Sequence, residues 1–381
     1  MRRAFKFRLY PNANQVRELG IMLETHRRLY NACLAQRKSA YRDDLVSVTY
    51  CQQSAWYTNQ RHVNKWYKGV NSSSAQGTMR HLDKAFKAFF RRAKAGKKPG
   101  YPRFKAKGRF CSVEFRSYRD GVRLMPDGKL RIQHVGKLKV KQHRPIEGTI
   151  KTVTLKVEDD KWYAIFSCDL GEVNVPKSEN PAVGIDVGIE SFYTTSTGHH
   201  EPNPTYLKKE LPQLRRLGRS VSRKKKGGSN RRKAVKRLRR CHAKVRNLRA
   251  DHRHKTTLDL CRRYGFIAVE RLNIKGMLRN RRMRLSQAIA DVSWGGFLAT
   301  LRYKAEIAGV EVVDVDARGT SQQCSGCGRE VRKELRVRKH DCPHCGLVLH
   351  RDENAARNIL ARGLLARTGP AGVNGQTSAV A

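Results

Sequence analysis

Between Thr320 and Leu360 the chain carries two C-x-x-C pairs, Cys324-Ser325-Gly326-Cys327 and Cys342-Pro343-His344-Cys345, with fourteen residues between them and a glycine after each, Gly328 and Gly346. No other feature constrains the fold as strongly. The spacing is that of a four-cysteine zinc ribbon. Each pair forms a knuckle, and the following glycine lets the backbone turn back toward the sulfurs. Four thiolates complete a tetrahedral Zn²⁺ shell and leave no open position, so the expected zinc is structural. Four free thiols are the alternative. His344 is a fifth donor, but it lies inside the second knuckle and reads as a bystander.

The segment after the ribbon opens on Asp352 and continues through Ala355, Ala356, Ile359 and Leu360, the pattern of a short helix whose small residues let it lie close on a sheet. An aspartate there commonly caps a helix. Two upstream carboxylates argue for more. Ala182-Val183-Gly184-Ile185-Asp186-Val187-Gly188 is an apolar run broken by one acid, and Phe266-Ile267-Ala268-Val269-Glu270 repeats the pattern. A buried strand has no easy place for an unpaired charge, so each acid should sit at a strand end, against a cation or on a metal.

The formal charge is +48, from 80 Lys+Arg against 32 Asp+Glu. Such an excess repels itself until a polyanion neutralises it, which points to nucleic acid and away from a small-molecule substrate. Met1-Arg2-Arg3 leads straight into a strand pattern and no long apolar run follows, so neither a signal sequence nor a membrane partner is expected. The six remaining cysteines, Cys33, Cys51, Cys111, Cys168, Cys241 and Cys261, are scattered, which fits a reducing cytoplasm.

In chain order, Ala4–Tyr10 alternates as a strand, and helical spacing predicts helices from about Asn14 to Arg42 and from about Gln76 to Ala95. The second has an apolar face of Met79, Leu82, Ala85, Phe86, Phe89 and Phe90, read as core. Lys84, Lys87, Arg91 and Arg92 on its other side, with Arg103 and Lys105 in the basic turn that follows, are candidate phosphate contacts; a solvated face is the ordinary alternative. Short alternating segments from Ser112 to Asp169 read as a small antiparallel barrel or sheet that the first strand completes, making the intervening helices an insertion. Pro176–Pro181 is a linker. Arg223 to Arg249 holds fourteen Lys/Arg in twenty-seven positions with no acid. It is read as a phosphate-tracking arm of two helices broken near Gly227-Gly228. Asp291–Ile307 reads as one helix and Val310–Val315 as a strand.

The order is then strand with Asp186, hairpin, long helices, strand with Glu270, helix, strand, zinc insertion, helix with Asp352. This is the layout of an RNase H-like domain within a chain of α/β, all-β and helical parts. Three carboxylates can hold two Mg²⁺ roughly 4 Å apart for phosphodiester hydrolysis. Asp314 and Asp316, at the next strand end, are rival ligands.

The chain resembles the TnpB family, transposon-encoded nucleases also known as OrfB-type transposases of insertion sequences and related to the ancestors of type V CRISPR effectors. The resemblance rests on Phe7–Pro11, Lys84–Phe90, Pro99–Lys105, Gly184–Gly188, Val269–Met277, Ser293-Trp294, Tyr303–Ala305, Thr320–Gly328 and the Asp352 segment, in order along the chain. It implies a RuvC nuclease domain (176–319 and 349–364) with Asp186, Glu270 and Asp352 as its Mg²⁺-binding catalytic triad. It further implies a zinc ribbon (320–348), a wedge β-barrel (1–12 and 109–175), a helical recognition domain (13–108) and a flexible tail (365–381). The implied activity is cutting of double-stranded target DNA beside a short flanking motif, directed by a guide RNA from the transposon end. The implied setting is the cytoplasm, at the nucleoid of a prokaryotic host. One departure is His252-Arg253 after Asp251, where the family usually has Phe and another apolar residue. A cut-and-paste transposase and a guide-bound DNA binder without cleavage are the competing classes. The acid order Asp, Glu, Asp and the retention of all three favour the nuclease.

Overall fold

The computed structural model describes residues 1–279, 285–334 and 336–368. The chain divides into two compact units, Met1–Val173 and Asn174–Ala381.

In the first unit, strand β1 (Arg2–Tyr10) is followed by helices α1 (Ala13–Asp44), α2 (Tyr50–Val63), α3 (Lys65–Lys68) and α4 (Ser72–Lys94). Strands β2 (Ser112–Phe115), β3 (Val122–Leu124), β4 (Leu130–Ile132), β5 (Gly136–Lys141), β6 (Thr149–Glu158) and β7 (Lys161–Asp169) complete it. The sheet runs β2-β6-β7-β1-β5-β4-β3, all antiparallel, with β1 between β7 and β5. Among the described residues β2 and β3 exchange no ladder hydrogen bonds, so the expected barrel is not closed by its backbone. Its side chains share one core instead: Phe5, Phe7 and Leu9 of the central strand pack with Val113 and Phe115 of one edge strand, Val122 of the other and Leu130 of β4 beside it. Asn12 ends β1 and starts α1 with a reciprocal capping box to Gln15. The helices build a separate core around Leu29, Tyr30, Leu34, Met79 and Leu82. Phe86 belongs to it, but Phe90 is 54% exposed. Phe89 and Phe90 instead pack edge-on with each other, and Phe89 with Tyr101, so the expected apolar face ends one turn early.

The second unit contains β8 (Ala182–Asp186), β9 (Ser191–Thr195), β10 (His200–Pro202), α5 (Tyr206–Ser222), α6 (Ser229–Arg263), β11 (Phe266–Glu270), α7 (Ile274–Arg279), α8 (Ser286–Val292), α9 (Trp294–Ala308), β12 (Glu311–Val315), β13 (Lys339–Asp341), β14 (Val348–His350) and α10 (Arg351–Thr368). Its sheet runs β10-β9-β8-β11-β12; β8 is antiparallel to β9 and parallel to β11, which is parallel to β12. Helices cover both faces. Val183, Ile185, Ile267 and Val269 pack with Leu260 of α6, Ile289 of α8 and Phe297 and Leu301 of α9. Phe266, Ala268 and Val315 pack with Ile359 of α10. The helix expected across Asp291–Ile307 is two helices: Ser293 takes the left-handed conformation, φ 61°, and ends α8. The helix of Asp352 is longer than expected and runs to Thr368, so 365–368 are helical, and the rest of the expected tail lies outside the described residues. No described helix is long and apolar enough to cross a membrane.

Candidate active site

Asp186 and Glu270 close the two central parallel strands. The register Ala182↔Phe266 to Ile185↔Val269 puts them level, one step beyond the last pair. Residues alternate faces along a strand, so Asp186 shares a face with Gly184, and Glu270 with Ala268. That is the face α10 covers. It approaches closely: a Cβ on Gly184 would meet the Ala356 carbonyl oxygen at 2.0 Å, and one on Gly363 would meet the Ala268 Cβ at 2.5 Å. The approach brings the first turn of α10, with Asp352, over the end of β8. Asp352 is the second residue of that helix, inside its first turn.

The other two acids perturb Asp186. Burial, then the charges of Glu270 and Asp352, hold the Asp186 carboxyl well above the ordinary carboxylate range, against the pull of Arg351 and Arg338. Burial also raises Glu270, opposed by a hydrogen bond from Thr320 and by Arg362. Thr320 Oγ1 donates to Glu270 Oε1 at 2.6 Å. Arg338, between the two knuckles, reaches Glu190 at 2.8 Å and Asp352 at 3.7 Å. Trp294 Nε1 donates to the Gly188 carbonyl at 3.2 Å and pins the loop after Asp186. Thr320, Arg338 and Trp294 carry no periodic signal marking them as neighbours of the acids; Thr320 and Trp294 lie in segments that resemble the family, and Arg338 does not.

The rival acids lie elsewhere. Asp314 is level with Val269 and so faces the opposite side of the sheet from Glu270, paired with Arg302 at 2.5 Å. Asp316 accepts from the Arg318 backbone N–H at 3.2 Å in a turn.

The four cysteines converge. Cys324 and Cys345 sulfurs are 3.7 Å apart, as are those of Cys327 and Cys342. All four lie within 4.8 Å of one another. Four sulfurs at 2.3 Å from a tetrahedral zinc stand about 3.8 Å apart, so the cluster is compatible with structural zinc. Among the described residues no other group of three or more Cys, His, Asp or Glu is gathered that tightly. The knuckle glycines, Gly328 and Gly346, have φ of 75° and 70°. Burial opposes ionisation of Cys342, but the N–H groups of His344 and Cys345 and the adjoining thiols bring it down to about 7. His344 stands outside, exposed, against Arg329. The first knuckle is tied to α10: Asn354 accepts from the Ser325 N–H and donates to the Gln323 carbonyl, and Asn358 donates to the Thr320 and Gln323 carbonyls. One helical turn thus holds both the cluster and Asp352.

The basic candidates separate. Lys84, Arg91 and Arg103 are exposed. Lys87 pairs with Asp83 at 3.0 Å, Arg92 donates to the Pro99 carbonyl at 2.6 Å, and the Lys105 ammonium lies over Tyr30 at 5.5 Å. Arg92 therefore braces the Lys97–Gly100 turn. On α6, Cys241 and Val245 face α5, leaving Arg232, Arg237, Arg239 and Arg240 exposed.

A mixed sheet covered on both faces, three acids at the end of its central strands and a four-cysteine hairpin tied to the third acid define an α/β domain with a carboxylate centre. Comparison with known proteins identifies the family. Residues 152–281 match the family described as "Probable transposase" (OrfB, IS605 type), and residues 294–359 match "Cas12f1-like, TNB domain". Residues 1–44 match a "Helix-turn-helix domain", although here they form one strand and one long helix. A Streptomyces pristinaespiralis protein named "Putative RNA-guided DNA endonuclease" is 33% identical over 96% of this chain and 90% of its own length. The Escherichia coli K12 protein "Putative RNA-guided DNA endonuclease InsQ" is 30% identical over 94% and 92%. Among solved structures, "Structure of the mini-RNA-guided endonuclease CRISPR-Cas_phi3" shares the fold at TM-score 0.52 and 9% identity, over 95% of this chain and 92% of that one. The chain belongs to the TnpB family, the OrfB proteins of IS605-type elements.

Proposed function

We propose that this chain is an RNA-guided DNA endonuclease that cuts target DNA beside a short flanking motif, with Asp186, Glu270 and Asp352 as its catalytic carboxylates. The observation that carries the reading is the meeting of three acids at one sheet end. Two are level on adjacent parallel strands, and α10, packed on Gly184 through Ala356 and Leu360, brings the third to the end of β8. The strand order, an antiparallel β8-β9-β10 meander continued by the parallel strands β11 and β12, supports an RNase H-like, RuvC-type domain. The names of the full-length relatives support the RNA guide and the DNA target. The β1–β7 sheet then serves as the wedge and the inserted helices as the recognition domain.

The donor set fits hard divalent cations: all oxygen, with burial raising Asp186 and Glu270 and the charges of the other two acids raising Asp186 further. Asp186, which feels both other acids, would serve both ions, with Glu270 and Asp352 each completing one shell. Bound Mg²⁺ supplies an activated water and a stabilised leaving oxygen. Thr320 fixes one oxygen of Glu270 by hydrogen bond, and the second oxygen would be the metal donor. Arg338 holds Asp352 from the ribbon side, and Trp294 fixes the loop beyond Asp186. Cys324, Cys327, Cys342 and Cys345 would hold Zn²⁺ and, through Asn354, keep Asp352 in place. Lys84, Arg91, Arg103 and the exposed cations of α6 are the phosphate-contact candidates.

The test compares wild type with Asp186→Asn on one guided target, using protein purified with its RNA. Cutting should vanish and target binding persist. Wild-type cutting in that variant refutes the triad. Sequencing the copurified RNA tests the guide: a constant scaffold with a variable end is expected.

A further inference from the structure

The first unit contains a cavity that the nuclease reading does not use. It has a volume of about 230 Å³ and lies between α1, the α3–α4 corner and the β4–β5 turn. Its walls are apolar: Met22, Trp66, Val70, Phe115 and Val135. Glu18, Lys65, Gln133 and His134 supply polar groups at the same site. The floor includes His26, fully buried between Thr78 at 2.8 Å and Ser74 at 3.3 Å. Burial keeps that imidazole neutral.

Two features set this cavity apart from a packing defect. Trp66 borders it yet remains 47% exposed, with the Arg28 guanidinium 4.1 Å from its ring centroid. An indole left half in water with a cation over one face is costly as core and well suited to stacking. The second feature is His134, whose φ of 64° lies in the left-handed region. Histidine takes that conformation less freely than glycine, and here the turn sets His134 in the cavity wall.

We infer that this cavity receives one unstacked nucleobase of a bound single strand, stacked on Trp66 and met at its edge by Gln133, His134 or Glu18. The volume is below the roughly 300–1,000 Å³ of sites for larger ligands and suits a single flat ring system. The charge argues for this occupant: Lys65 and Arg28 flank the indole in a chain of net charge +48, so a phosphodiester backbone is drawn to the rim while its base enters the apolar slot. Aromatic platforms combined with cations are how proteins hold splayed bases of single-stranded RNA and DNA. The inference requires nucleic-acid binding by the chain but not cleavage, so it stands or falls separately from the carboxylate triad.

The test measures binding of a short mixed-sequence single-stranded RNA, the same sequence as DNA, and an abasic strand of equal length. The proteins are full-length wild type, Trp66→Ala, Trp66→Leu and Trp66→Phe, with matched melting temperatures as the check on folding. Trp66→Ala and Trp66→Leu should weaken the base-bearing strand roughly ten-fold and leave the abasic strand unchanged, while Trp66→Phe keeps most of the affinity. A larger loss on RNA than on DNA identifies an RNA base as the occupant, and the reverse identifies a DNA base. If Ala and Leu weaken base-bearing and abasic strands equally, or weaken neither, the cavity holds no base and the inference is overturned.

Discussion

The dependence of the carboxylate centre on one glycine can be tested with a single methyl group. In Gly184→Ala the new Cβ would lie 2.0 Å from the Ala356 carbonyl oxygen, 2.6 Å from the Leu360 nitrogen and 2.9 Å from the Leu360 Cβ. Two of these are helix backbone, so no rotamer change relieves the clash. Non-bonded carbon contacts settle near 3.5 Å, so α10 has to withdraw by about 1.5 Å. Overpacking of this kind costs about 1–3 kcal/mol, or roughly 2–4 °C in melting temperature per kcal/mol for a domain of this size. The rate should suffer more. Asp352 lies one turn before Ala356 and moves with it, and a misplacement of about 1 Å costs on the order of 100-fold. The assay is single-turnover cleavage of a guided target beside thermal unfolding. Gly20→Ala in α1 is the control: nothing lies within 4 Å of its Cβ, so it should gain up to about 1 kcal/mol and cut normally. A Gly184→Ala protein that melts lower but cuts at the wild-type rate refutes the link between the close approach of α10 and the site.

Asp186→Asn should raise the melting temperature of the metal-free protein at neutral pH. Its carboxyl is raised by burial and by Glu270 and Asp352, so stability is lost as pH rises above the ordinary carboxylate value and the amide escapes that loss; Mg²⁺ should then stabilise wild type more than the variant, and a variant no more stable than wild type without metal counts against the crowding. Cys324→Ser should bind less than the about one zinc per chain expected of wild type, melt lower and cut more slowly because Asn354 ties the first knuckle to the helix of Asp352; full zinc with unchanged melting removes the assignment. Burial holds His26 at about 3 against its ordinary 6.5; the unfolded chain takes up the proton first, so stability is complete above 6.5 and falls as pH drops toward 3. From pH 7.5 to 5.0 the loss should be about 2 kcal/mol, read as the difference in pH dependence between wild type and His26→Gln in urea unfolding; identical dependences rule it out.

What the sequence made legible follows a physical rule. The two acid-terminated strands were readable because a buried strand excludes charge, so a single acid in an apolar run marks where the strand meets solvent or a cation. The close packing of α10 was readable in Ala355 and Ala356, and the knuckles in the cysteine spacing. These signals are local, each set by neighbours within a few residues. Other contacts depend on where the ribbon lands. Arg338 stands among Arg332, Lys333, Arg336 and Lys339, and nothing in that run distinguishes the one cation that reaches Asp352. Thr320 likewise meets Glu270 across fifty residues of chain. The break at Ser293 was hidden for a different reason. The apolar pattern continues through it, and the turn-forming pair Gly295-Gly296 lies inside α9 and not at the break, yet the left-handed backbone of Ser293 redirects the chain so that Trp294 reaches Gly188. Where a helix breaks without Gly or Pro, the compensating contact is the one to seek, and here it ends on the loop beside Asp186. Sequence pattern therefore placed Asp186 and Glu270 at strand ends and Asp352 at a helix start, while their neighbours Thr320, Arg338 and Trp294 emerge only once the sheet, the helix and the ribbon are assembled.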